Sequence, residues 1–242
     1  LAIVAATEGI SRSRAQTWIR AGRVEVDGEF EDRPGFHVRA HQTVKLRARE
    51  VVETREEGAA PALELLHEDA DLLVVLKPAG LLTHANLAGG RSLASILQES
   101  HGPLPERSEP GRWGIVHRLD RDTSGVLVVA RTSAALESLQ AAFRDRRVQK
   151  TYEGIVLGAP RFDSDWIDAP LGRSPKHPDR QSVLTVGEGR EALTYWEVIE
   201  RFDGFAHVRL QPKTGRTHQL RVHLASIDLP ILADSVYRAR GG

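Results

Sequence analysis

The chain reads as an α+β protein made of a small N-terminal unit and a larger second one, and three features of its 242 residues predict this. Short apolar or alternating runs at 72–76, 126–130, 192–199 and 206–210 are bounded by turn residues, as strands are. Between them lie stretches whose apolar residues recur three to four apart, the spacing of a helix with one buried face. Residues 51–62 are charged, lose all periodicity and end in small residues, so they read as a linker between a domain at 1–50 and another at 63–242.

In the first unit Ser11 is placed to cap a helix that runs through Arg20, and Gly22 is placed to end it. Residues 23–26 alternate like a strand, Asp27-Gly28 is a hairpin signal, and residues 44–49 alternate apolar and basic as a half-buried strand would. Arg12, Arg14, Arg20 and Arg23 make this unit locally basic.

The second unit opens with strand-like runs at 63–67 and 72–76 around the acidic turn Glu68-Asp69-Ala70-Asp71. Lys77-Pro78-Ala79-Gly80 then breaks the strand and leaves Lys77 and His84 on a loop. Residues 92–100 form a short helix, and 103–112 a loop. Next comes the stretch on which the chain is organised, His117-Arg118-Leu119-Asp120-Arg121-Asp122-Thr123-Ser124-Gly125, a charged turn held between Gly114-Ile115-Val116 and the apolar run 126–130. Asp120 stands between Arg118 and Arg121, which would hold the acid ionised, and Asp122 to Gly125 have turn chemistry. By itself such a stretch is also what an ordinary solvated loop looks like.

Ser133 caps a helix with Leu136, Leu139 and Phe143 on one face; its other end is basic, with Arg144, Arg146, Arg147 and then Lys150, a placement that favours the helix itself. Tyr152 begins another strand, where a lone Tyr reads as half-buried packing unless it faces Asp120. Residues 163–189 are rich in Pro, Gly and charge and read as a long loop or hairpin. Strands at 192–199 and 206–210 follow, joined at Phe202-Asp203-Gly204. In the last helix Leu220, Leu224 and Ile227 share one face, while His218 and Arg221, three apart, share another.

Composition excludes several chemistries. Lys plus Arg and Asp plus Glu are 33 each, so the whole-chain charge predicts no partner and any polyanion site must come from local clustering. The absence of Cys removes disulfides, thiolate metal sites and a Cys nucleophile. His218 and His223 fall on different helical faces and no His-Glu-x-x-His is present, so no metal is expected. Phosphate-loop and Gly-x-Ser-x-Gly patterns are missing. No apolar stretch reaches membrane-span length and no signal-peptide pattern opens the chain, so no membrane association and a cytoplasmic location are expected. The chain starts inside a helix-like stretch and contains no Met, which suggests a piece of a longer product.

His-Arg-Leu-Asp followed two residues on by Thr-Ser-Gly resembles the signature of the RluA/RluC/RluD-type pseudouridine synthases. Gly215-Arg216-Thr217-His218-Gln219-Leu220-Arg221-Val222-His223-Leu224 is a second match, in the order and separation of that family. Weaker matches are Lys-Pro-Ala-Gly-x-x-x-His at 77–84, with Leu76 where Asn is usual, Lys-x-Tyr at 150–152, and Pro-Ile-x-Gly-Asp-x-x-Tyr at 230–237, with Ala233 for Gly. The N-terminal piece, Ser-Arg-Ser-Arg-Ala-Gln through Gly-Arg-Val-Glu-Val-Asp-Gly, resembles the α-L RNA-binding domain shared with ribosomal protein S-four. There Arg12, Arg14, Arg20 and Arg23 would meet an RNA backbone.

The resemblance implies a mixed α/β catalytic domain on a largely antiparallel sheet, with part of the sheet's edge expected beyond Gly242. It implies isomerisation of uridine in RNA to pseudouridine, with no cofactor. Asp120 would be the catalytic residue, Arg221 its pairing partner and Tyr152 the residue that stacks on the base. Arg118 would fill the place of the flipped nucleotide. His117, Lys77, His84, Arg216 and His218 would complete the substrate site, Lys77 and His84 by shaping the pocket or meeting phosphate. The expected partner is RNA, by analogy that of the large ribosomal subunit, bound by a monomer without an obligate protein partner. The alternatives are a synthase acting on transfer RNA and an RNA-binding protein without activity.

Overall fold

The computed structural model describes residues 2, 4, 12–20, 22–46, 63–84, 91–106, 111–177 and 179–238; the expected cap at Ser11, the linker at 51–62 and the end of the strand at 44–49 lie outside these. Two compact units divide the chain, residues 1–136 and 137–242.

In the first unit, α1 (Arg12–Arg20) turns Ala15 and Ile19 inward to join Val4 and Val24, with Trp18, Val44 and Leu46 at the margin of this small core. Gly22 ends the helix at φ 65°, its N–H donating to the Ile19 carbonyl. Strands β1 (Val24–Val26) and β2 (Glu29–Phe30) meet through Asp27 and Gly28, both in the left-handed region, as a two-residue hairpin turn requires. The Asp27 carboxylate accepts from Thr43 N–H and Gln42, which seats β3 (Val44–Leu46) on the other side of β1. Because β1 is the middle strand, Glu25 is buried along with Val24 and Val26, and the outward side expected of an alternating strand is not seen.

The same unit holds a second antiparallel sheet of order β4-β5-β6, from β4 (Glu64–Glu68), β5 (Leu72–Lys77) and β6 (Gly125–Ala130). Asp69 makes the first turn by accepting from the N–H groups of Asp71 and Leu72. Alternation along β5 buries Leu73, Val75 and Lys77 on one face, paired with Val129, Leu127 and Gly125 of β6. Helix α2 (Leu93–His101) starts in a reciprocal Ser92–Ser95 capping box and buries Leu93, Ala94, Ile96 and Leu97.

Helix α3 (Ser133–Arg144) leads into the second unit. There β7 (Tyr152–Leu157), β8 (Ser164–Asp168), β11 (Leu193–Phe202) and β12 (Phe205–Pro212) form an antiparallel sheet of order β7-β12-β11-β8. One face carries Val156, Ile167, Trp196, Ala206, Val208 and Leu210, against which α4 (Gln219–Ser226) lays Leu224. The stretch expected as a loop or hairpin at 163–189 contains β8 as well as a hairpin of β9 (Leu171–Arg173) and β10 (Gln181–Val183). Asp165 and Asp168 flank Trp166 and Ile167 and hide the strand pattern, but β8 is an edge strand that needs only one inward apolar residue, Ile167. Among the described residues no helix is long and apolar enough to cross a membrane.

Candidate active site

The charged turn at 117–125 is tied down from beneath. Ile115 makes an isolated antiparallel bridge with Val129, so the run before the turn is held by a single bridge. Gly114 allows it: its φ is 65°, and an added Cβ would strike the carbonyl oxygen of Ala130.

Lys77 is the last residue of β5 and fully buried, not on a loop as expected. Its Nζ donates to the carbonyls of Pro78, Leu81 and Arg121 at 2.8, 2.8 and 2.9 Å. Burial of a lone ammonium costs several kcal/mol, and three charge-assisted bonds of about 1.5–3 kcal/mol each offset it. Burial lowers the Lys77 pKa, while the carboxylates of Asp122 and Asp120 act in the opposite direction. Lys77 therefore places a buried cation beneath the turn, where its ammonium is surrounded by three backbone carbonyls and not by solvent.

Thr83, for which sequence reasoning gave no role, holds the other flank. Its hydroxyl donates to the Leu119 carbonyl at 2.8 Å and accepts from the Leu119 N–H at 3.2 Å. Gly80 N–H also donates to the Arg121 carbonyl. The backbone on both sides of Asp120 is thus anchored by buried groups of the 77–84 segment, while Asp120 itself is half-buried and Arg118 is exposed. Thr83 lies inside the same Lys-Pro-Ala-Gly-x-x-x-His string, and that position is the one signal that could have drawn attention to it.

One expectation about this turn changes. Arg121 does not flank Asp120 as its ion pair: its guanidinium forks onto Asp122 at 2.9 and 3.2 Å, on the exposed side. His117 accepts the Val128 N–H at its Nε2, 3.1 Å away, which puts the proton of a neutral ring on Nδ1 and ties the turn to β6. His84 is half-buried just past Thr83.

The second unit assembles its own constellation at the start of α4. Arg221 forks onto Asp234 with Nε and Nη2 at 2.7 and 2.9 Å, and its guanidinium lies 5.0 Å from the centre of the Tyr237 ring. Burial by itself would raise the Asp234 carboxyl, but Arg221 and the N–H groups of Tyr237 and Val236 outweigh it and hold the pKa below the usual range. The Tyr237 hydroxyl stands 2.8 Å from His218 Nδ1 and accepts the Gln181 N–H. So His218 and Arg221, expected on one helical face, meet through a third residue, although His218 is the left-handed N-cap of α4 and not within it. Asp234 and Tyr237 were present in the Pro-Ile-x-Gly-Asp-x-x-Tyr string, but only the fold reveals what they hold.

Behind this group, Gln219 is buried and serves four partners: its Oε1 accepts from Thr214 and the Arg216 N–H, and its Nε2 donates to Leu193 O and Thr194 Oγ1. His223 is fully buried between Thr194 Oγ1 and the Ala169 carbonyl, and burial lowers its pKa. Ala169 can only accept, so Nε2 carries the proton and Nδ1 accepts from Thr194. Arg216 donates to the Glu191 carbonyl, while Tyr152 packs against the core of the sheet. Asp120 belongs to the first unit, Tyr152 and Arg221 to the second. In the N-terminal sheet region Arg12 and Arg20 are exposed on α1, which also carries Arg14, and Arg23 lies 4.3 Å from the centre of the Trp18 ring. Among the described residues no group of three His, Asp or Glu could hold a metal ion.

Comparison with known proteins agrees with this anatomy. A family model described as RNA pseudouridylate synthase matches residues 71–226, and an S4 domain model matches residues 2–44. The chain is 38% identical over 236 residues to the ribosomal large subunit pseudouridine synthase D of Pseudomonas aeruginosa, covering 95% of this chain and 70% of that protein. It is 37% identical to the uncharacterized RNA pseudouridine synthase YlyB of Bacillus subtilis, over 95% of this chain and 75% of that one. Among solved structures, human RNA Pseudouridylate Synthase Domain Containing 1 superposes with a TM-score of 0.62 at 29% identity, covering 74% of this chain and 71% of that one.

Proposed function

This chain belongs to the RNA pseudouridylate synthase family, with an S4 domain before its catalytic part, and from that premise we propose that it converts uridines of large-subunit ribosomal RNA to pseudouridine with Asp120 acting at the sugar. The observation that carries the assignment of Asp120 is the anchoring of its turn by Lys77 and Thr83. A catalytic carboxylate needs a fixed position, and here both flanking peptides are held by buried donors and acceptors. The names of the Pseudomonas aeruginosa relative and of its counterpart in Vibrio parahaemolyticus support the choice of RNA.

The reaction breaks the N1–C1′ bond, turns the uracil and joins C5 to C1′, and the proton lost from C5 is balanced by one gained at N1, so it needs neither a redox change nor a group donor. Chemistry at a base requires that base to leave its stack, and the exposed Arg118 is suited to fill the vacated place. Asp120 acts either as nucleophile at C1′ or as base at C2′, and both roles use its carboxylate. Arg221, its orientation set by Asp234 and Tyr237, supplies the counter-charge that the family resemblance assigns to Asp120. Tyr152 stacks on the uracil, and His84, His117, Arg216 and His218 shape the substrate site. Residues 1–50 dock RNA through Arg12, Arg14, Arg20 and Arg23, residues 51–62 are the linker, and 63–242 the catalytic domain. The protein works as a cytoplasmic monomer.

Mapping pseudouridines in RNA from cells lacking this protein tests the target. Loss of defined sites in large-subunit ribosomal RNA, restored by the wild-type chain, is expected; loss confined to transfer RNA would overturn the choice of substrate.

A further inference from the structure

We propose that Arg146, Lys150, Arg190 and Arg216 form a clamp for backbone phosphates of the bound RNA, gathered around the loop at 213–218. The proposal rests on the reading above only in taking RNA as the ligand. The four cations come from different places in the second unit: the turn after α3, the segment before β7, the bridge of Arg190 with Leu171, and the loop before α4. Backbone carbonyls hold two of them. Lys150 Nζ donates to Thr214 O at 3.2 Å, and Arg216 Nε donates to Glu191 O at 2.9 Å. At Gly215 an added Cβ would sit 3.8 Å from Lys150 Nζ, so the loop runs directly over this ammonium.

Among the described residues, Glu191 is the carboxylate that answers the group. Arg146 reaches both of its oxygens, but at 3.4 Å each, longer than the 2.7–2.9 Å or so of a strong charge-assisted bond. The neighbouring Arg144 and Arg147 differ, since both stand near Asp145. Like charge is therefore concentrated: burial first, and then Arg190 and Arg146, lower the pKa of Arg216, and burial and then Arg146 lower that of Lys150. Arg146 also sits at φ 57° just past α3, a helix-ending position where Gly is the usual residue. Favourable placement at a helix C-terminus accounts for Arg144, in the last turn of α3, but not for Lys150, Arg190 or Arg216. Diester phosphates supply the missing negative charge and accept from guanidinium forks in the geometry available here.

The test uses the full chain and, as probe, a fluorescein-labelled RNA hairpin of mixed sequence with a uridine-rich loop, titrated by anisotropy between 50 and 300 mM KCl, a range over which each phosphate contact adds about 0.7–0.9 to the slope of log K against log salt. The Arg146→Gln/Arg190→Gln double variant is expected to flatten that slope by about 1.5 and to weaken binding about tenfold at 100 mM salt. Glu191→Gln, which removes the competing carboxylate, is expected to tighten binding by roughly two- to fivefold. A salt bridge that only supports the fold predicts the reverse pattern: an unchanged slope in the double variant and no gain from Glu191→Gln. Either of those results overturns the clamp. Should the double variant fail to fold, Arg190→Gln alone is expected to flatten the slope by about 0.7, and an unchanged slope there overturns it equally. Binding is read without turnover, so the outcome is independent of whether Asp120 is the catalytic residue.

Discussion

Thr83→Val removes one hydroxyl and keeps the shape of the side chain, so it isolates the anchor beside Asp120. In the wild type the hydroxyl answers both the N–H and the carbonyl of Leu119, and Thr83 and Leu119 are 3% and 6% exposed. The valine leaves two buried backbone groups unpaired, each costing about 1–3 kcal/mol. A stability loss of about 2–6 kcal/mol follows, read from the urea midpoint. The peptide will move to recover those bonds with water, and Asp120 moves with it. Lys77 and Gly80 still hold the Arg121 carbonyl, which limits the shift. A displacement approaching 1 Å costs on the order of 10–100-fold in turnover. With saturating RNA carrying mass-labelled uridine, kcat is therefore expected to fall within that range, with KM changed less than about threefold because Thr83 is buried beneath the turn. Thr83→Ser keeps the hydroxyl and should retain kcat within about threefold. Wild-type kcat in a folded Thr83→Val protein, or equal losses in Val and Ser variants, would refute the argument that this hydroxyl positions Asp120.

Gly114→Ala is expected to cost about 2 kcal/mol or more, because φ is 65° and the new methyl meets the Ala130 carbonyl; an unchanged urea midpoint would contradict this. Asp234→Asn leaves the Arg221 guanidinium without its buried anion and is expected to lower stability by about 2–4 kcal/mol; a turnover loss without any stability loss would mean that the pair does not support the fold. In acid two groups contribute with opposite chemistry but the same sign. Burial lowers the His223 pKa from 6.5, so below about that pH the unfolded chain takes up a proton that the fold resists, and stability falls by at most about 1.4 kcal/mol per pH unit. The Asp234 pKa is lowered from 3.8, so its contribution is complete above that value and is lost only as pH falls through the folded value. His223→Gln should flatten the stability profile just below pH 6.5 and leave the more acidic limb in place.

Elements that depend on local chemistry were legible in the amino-acid order. Asp27-Gly28 must turn because two consecutive left-handed residues suit it, and the apolar alternation of residues 72–77 survives into β5. What was not legible depends on distant partners. Lys77 reads as a loop residue because lysine is seldom buried; only the carbonyls of Pro78, Leu81 and Arg121, the last 44 positions away, make its burial tolerable. The position of Arg121 beside two aspartates does not say which it will pair with, and the fold selects Asp122. Strand β8 is masked by its aspartates, and the grip of Asp234 on Arg221 joins segments whose relation no periodicity expresses. The motif strings pointed to these segments, while the partners that hold each residue within them are visible only in the fold.

The most direct measurement is single-turnover conversion of mass-labelled uridine in large-subunit ribosomal RNA by Asp120→Asn, with RNA affinity measured on the same preparation. Pseudouridine formation is expected to vanish while affinity stays within a few-fold of wild type. Conversion at a rate comparable to wild type would contradict the central claim, because the asparagine fits the same anchored turn and lacks only the negative charge.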